Sequence, residues 1–175
     1  MEVRVEGHPQ GGVCSVDGLP ELEIQIEGTA PVECVEILRG TEVISTHQVI
    51  QDDPNRIRVL WGGANERGTA GAQRLIWDGQ LHLTDGLLSD IRPVGLQCPL
   101  DQVRVVSDLQ VTWASVTAGN DMGFTCSVEP GSSAVFNFES EPCTFSCTHA
   151  QFQRAPLLVD AGRLNAYVEI GPAPR

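Results

Sequence analysis

The sequence predicts an all-β protein, an antiparallel β-sandwich of jelly-roll or immunoglobulin-like type with little or no helix. Three observations predict it. Apolar and polar residues alternate with a period of two in many short runs. Turn-forming pairs separate those runs, often at intervals of about 7 to 12 residues. No sustained 3.6-residue apolar stripe with caps occurs. At 175 residues the chain fits a single domain, 1–175, large enough to enclose a hydrophobic core.

The strands follow in order. Val3 and Val5 face one way, Glu2, Arg4 and Glu6 the other, so the chain opens in mid-strand, as expected of a piece of something longer. No basic start followed by an apolar stretch marks a signal peptide. In "ELEIQIEG" (21–28), Leu22, Ile24 and Ile26 alternate with Glu and Gln. "VECVEILRG" and "TEVISTHQVI" meet at Gly40, which predicts a hairpin over 32–50. "RIRVLWGG" (56–63) is the next strand, and the Gly- and Ala-rich stretch 62–73 reads as a loop. Further strands are expected in 73–94, 103–121, 122–152, 155–162 and 164–171. Turns are expected at Asp78-Gly79, Asp85-Gly86, Gly119-Asn120, Pro130-Gly131, Glu141-Pro142 and Ala161-Gly162. "PLDQVRVV" has room for one helical turn at most.

Composition narrows the function. The formal charge is -12, and all 11 basic residues are Arg, scattered along the chain. Nucleic acid would be repelled by such a surface and would call for a clustered basic patch. No run of about 18 apolar residues could span a bilayer. A hydrophobic fraction of 41% with 19% charged residues predicts a soluble, acidic, globular protein rather than a disordered one.

Chemistry-bearing patterns are few. Of the six Cys, Cys34 and Cys126 fall in alternating apolar runs and read as small buried hydrophobes. "EPCTFSCTH" places Cys143, Cys147 and His149 at a Cys-x3-Cys-x-His spacing, three donors suited to zinc or copper. In a regular strand Cys143 and Cys147 would lie roughly 13 Å apart, too far for one ion or a disulfide, so free thiols are the simpler reading. The four His stand far apart, and neither a nucleophile elbow nor a phosphate-binding loop occurs. No active site is recognisable, and no cofactor is implied. Trp61 and Trp113 sit within strands and read as core. Trp77 precedes Asp78-Gly79, where a ring can lie half exposed with Arg74 or Arg67 stacked on it. These three residues are the candidate ligand contacts, and a carbohydrate is the ligand class that a Trp platform on a sandwich would suit.

Four stretches also resemble, in order, the C-terminal part of the bacterial domain of unknown function 3604 family. They are Val35-Glu36-Ile37 with Arg39-Gly40, Trp61 with Arg67-Gly68, Trp77-Asp78-Gly79, and Trp113-Ala114-Ser115-Val116-Thr117-Ala118-Gly119-Asn120. The resemblance covers nearly the whole chain. It implies a β-sandwich tail that packs beside a PHP-like metallohydrolase domain, His- and Asp-rich, whose metal ligands have no counterpart here. The chain departs from the family in having a single Arg, Arg67, in loop 62–73, and in the Cys of "CSVEPGSSAVFNFESEPCTFSC". The expected function is that of a non-catalytic accessory module of a metal-dependent hydrolase, the alternative a carbohydrate-binding module.

Overall fold

A computed structural model describes residues 1–28, 32, 34–49, 53–64, 67–68, 71–96 and 98–173, with the backbone alone described at 48, 67, 68, 71 and 72. The fold is antiparallel and almost entirely β. The chain divides into two compact units, Met1–Gln48 and Val49–Arg175.

In the first unit, β1 (Glu2–Val5) lies between β2 (His8–Pro9) and β3 (Leu22–Gln25). The expected hairpin forms from β4 (Cys34–Arg39) and β5 (Glu42–Gln48), turning at Gly40, whose φ of 67° favours a residue without a Cβ. None of the described residues of this unit is fully buried. Ile24 is half-buried while Leu22 and Ile26 are exposed, so the alternation of β3 makes a strand without closing a core over it. Cys34 is exposed and not a buried hydrophobe, because the pleat gives the shielded positions of β4 to Val35 and Ile37.

The second unit contains β6 (Arg56–Gly62), β7 (Arg67–Gly68), β8 (Gly71–Ala72), β9 (Leu75–Ile76), β10 (Gly79–Leu83), β11 (Gly86–Val94), β12 (Gln102–Ser107), β13 (Gln110–Ala114), β14 (Val116–Thr117), β15 (Met122–Pro130), β16 (Val135–Ser140), β17 (Thr144–Thr148), α1 (His149–Phe152), β18 (Leu157–Asp160) and β19 (Tyr167–Pro172). Two five-stranded sheets dominate it, with strand orders β12-β13-β10-β16-β17 and β11-β15-β6-β19-β18. Their apolar residues form one cluster that includes Ile57, Val59, Trp61, Leu81, Val111, Trp113, Phe124, Phe136, Phe138, Val168 and Ile170. Each such side chain, once fully buried, contributes roughly 1.5–3 kcal/mol.

The expected turns differ in what they join. Asp85-Gly86 and Pro130-Gly131 carry the chain from one large sheet to the other instead of closing hairpins, since β10 and β16 lie in one sheet and β11 and β15 in the other. Glu141-Pro142 and Ala161-Gly162 do join hydrogen-bonded neighbours. Asp78-Gly79 closes no hairpin: β9 pairs with β14, and Gly79 opens β10. "PLDQVRVV" leads into strand β12, and the single short helix lies at 149–152, where the Gln151 side chain accepts a hydrogen bond from the Thr148 N–H at 2.8 Å. The 62–73 stretch contains the two-residue ladder β7–β8. Residues 65–66 and 69–70 lie outside the described ones.

Candidate functional site

The three tryptophans are all buried, and each indole N–H has an acceptor. Trp61 Nε1 donates to Ser115 Oγ at 2.7 Å, and Trp77 Nε1 donates to Thr117 Oγ1 at 2.9 Å. Trp113 Nε1 donates to the Trp77 carbonyl oxygen. Among the described residues, Ser115 and Thr117 are the buried polar ones, and both serve this purpose. The local reason is the period of two. Trp113, Ser115 and Thr117 fall on alternate positions of one extended segment and all point inward, delivering one ring and two hydroxyls to the same region. An indole N–H sealed in a core costs free energy unless paired, so the hydroxyls are part of the packing.

Aromatic contacts continue the cluster across the two large sheets. The Trp61 and Trp113 rings stack with centroids 4.6 Å apart at 19°. Phe124 meets Trp61 edge-on at 6.2 Å, and Phe138 lies 5.0 Å from Trp113. The Trp77 backbone N–H donates to the Ser115 carbonyl at 2.9 Å, and Asp78 Oδ1 accepts from the Ser115 N–H at 3.1 Å. A Cβ on Gly79 would sit 2.2 Å from the Glu139 carbonyl oxygen, so the glycine is required by the close approach of β16. Asn120 Oδ1 accepts from the Ala118 N–H at 2.9 Å, and the Gly119 N–H donates to the Gly63 carbonyl at 2.8 Å. Trp-Asp-Gly and Trp-x-Ser-x-Thr-x-Gly-Asn thus meet in one internal junction.

Trp77 is not displayed as a platform for a ligand. Its relative exposure is 0%, so neither ring face is available to a ligand, and the expected half-exposed ring beside a turn is not what the fold makes of this residue. The physical reason is that Trp77 links β9 to β10 beneath the Ser115–Thr117 segment. Arg74 is exposed, one residue before β9, and for Arg67 only the backbone is described.

The metal candidates are also dispersed in role. Cys147 is buried in β17, Cys143 is half-buried just before it, and His149 begins α1. His149 Nε2 lies 3.0 Å from the Pro54 carbonyl oxygen, and its ring meets Phe152 edge-on at 5.3 Å. Burial pushes the Cys147 thiol up to about 11 and raises that of Cys143, which keeps both protonated at neutral pH. Among the described residues no group of three or more His, Cys, Asp or Glu is placed to hold a metal ion.

Two polar groupings remain on the β11-β15-β6-β19-β18 sheet. Arg56, its side chain 13% exposed, donates to Asp90 Oδ2 at 2.7 Å, Ser127 Oγ at 3.1 Å and Thr125 Oγ1 at 2.9 Å. Asp90 lies in the irregular register between Ser89 and Arg92, with a φ of 46°. The hydrogen bond from Arg92, aided by the Arg56 charge, lowers its pKa. Arg58 pairs with Glu169 at 2.9 Å, and the Tyr167 hydroxyl donates to Asp121 Oδ1 at 2.6 Å, its pKa raised by burial and by that carboxylate. Both groupings tie neighbouring strands together.

In comparisons with known proteins, no family model, no curated protein and no solved structure matches the chain.

Proposed function

We propose that this chain is a non-catalytic accessory β-sandwich module of a metal-dependent hydrolase, working beside a PHP-like domain of the same polypeptide or complex. The observation that carries the reading is how the motif residues are used. Trp61, Trp77-Asp78-Gly79 and Trp113 to Asn120, the stretches that resemble the domain of unknown function 3604 family, meet inside the second unit and hold it together. A shared motif made of packing residues marks a shared scaffold, and chemistry is then supplied elsewhere. Val35 to Gly40, the remaining stretch, builds the β4–β5 hairpin, where Arg39 pairs with Glu42 at 3.1 Å.

The test has a genetic and a biochemical half. The reading is supported by an open frame that runs upstream of the Met1 codon and encodes a His- and Asp-rich domain, or by a separately encoded hydrolase-like polypeptide that purifies with this chain in equal amounts. A stop codon upstream with no such companion overturns it, as does hydrolysis of phosphoesters or glycosides by the purified 175-residue chain.

A further inference from the structure

The outer face of the β12-β13-β10-β16-β17 sheet has a chemistry unlike that of the chain as a whole. Leu81, Val111, Trp113, Phe136 and Phe138 point into the core, so the residues alternating with them face out. In a protein of net charge -12, the outward positions of these five strands carry one cation, Arg104, and one anion, Glu139. Amides and hydroxyls fill most of the others. The amides are already ordered by one another. Gln110 Nε2 donates to Gln80 Oε1 at 2.6 Å, and Gln80 Nε2 donates to Glu139 Oε2 at 2.7 Å, a relay across three strands. On the far side Ser146 Oγ donates to Asn137 Oδ1 at 2.7 Å. Toward the β12 edge a depression of about 260 Å3 is lined by Gln102, Arg104, Thr112, Trp113 and Ala114, with Arg104 Nε held by Gln102 Oε1 at 2.9 Å.

We propose that this face binds a neutral saccharide, with the depression at Gln102, Arg104 and Thr112 as its principal sugar subsite. A sugar hydroxyl both donates and accepts, as do the amides and hydroxyls displayed here. The near-zero local charge offers no attraction to a polyanion or polycation, and the large exposed apolar side chains of these strands are Val105 and Val106 at the β12 edge, without the Trp, Tyr or Phe that anchors most protein partners. Side chains already fixed by mutual hydrogen bonds lose little freedom when a ligand arrives. No Trp, Tyr or Phe stands at these outward positions, where His82 supplies the one imidazole, so recognition proceeds through hydrogen bonds and strengthens with the number of sugar units laid along the face. The site is separate from Trp77, and the accessory role beside a hydrolase does not depend on it.

Native affinity electrophoresis through gels containing a soluble β-glucan, xylan, mannan or starch provides the test, with polygalacturonate as the charged control. At least one neutral polymer is expected to retard the protein, equally at low and high salt. The Gln80→Ala/Gln110→Ala double variant is expected to weaken that retardation roughly tenfold. Arg104→Ala, at an exposed edge position where folding is not at stake, is expected to weaken it as well. The proposal is overturned if none of the four neutral polymers slows the protein. It is equally overturned if retardation survives both variants with melting unchanged, or if polygalacturonate alone retards and salt abolishes the effect.

Discussion

Removing the Ser115 hydroxyl leaves the Trp61 indole N–H sealed in the core without its acceptor. Ser115→Ala is therefore expected to cost about 1–3 kcal/mol in urea unfolding, and Thr117→Val a similar amount through Trp77. In a double-mutant cycle, Trp61→Phe should remove most of the sensitivity to Ser115→Ala, since no indole donor then remains to be satisfied. Both hydroxyls were legible in the sequence only in retrospect. "TWASVT" places them two and four residues after Trp113, on the same inward face, but nothing in a single sequence says which donor an inward hydroxyl will meet. The thiols make a second residue-scale prediction. Burial pushes Cys126 up to about 12 and Cys147 up to about 11, against 9.0 for a free thiol. The unfolded chain ionises first as pH rises, so the stability tied to these protonated thiols is complete below pH 9 and is lost progressively above it. Thermal melting should fall across that range, and Cys126→Val should make the fall shallower.

Strand positions were legible because alternation is a property of each strand alone. β6, the β4–β5 hairpin and the strands flanking Glu141-Pro142 stand close to where period and turn residues put them. What was not legible was pairing. Asp78-Gly79 has the composition of a hairpin turn, yet the partner of β9 is β14, some 40 residues on, and Trp77 is buried as a result. Turn chemistry decides whether a chain can bend; the long-range register decides which strand it bends toward. Gly79 lies at the point where this matters, in the central strand β10 between β13 and β16. Gly79→Ala would force a Cβ to within 2.2 Å of the Glu139 carbonyl oxygen unless β16 moved away. A loss of about 1–3 kcal/mol is expected from that overpacking, read as a lower urea midpoint. An unchanged midpoint would mean that the two strands separate without cost.

At the scale of the molecule, burial is unevenly shared. The described residues of the first unit include none that is fully buried, whereas the second encloses the whole aromatic and aliphatic cluster. Hydrogen exchange is expected to follow that division, with the amides of β6 and β15 protected to near the global unfolding free energy and those of β4 and β5 exchanging through smaller openings. Equal protection in both units would contradict it. The three tryptophans all belong to the second unit and none to the first. The protein therefore carries an intrinsic optical reporter of one unit alone. The dry, stacked Trp61 and Trp113 rings should couple their electronic transitions, giving a blue emission maximum and a strong near-ultraviolet dichroic band. Melting of the first unit would leave both signals in place, so the difference between a tryptophan melting curve and a backbone one measures the independence of the two units without any label.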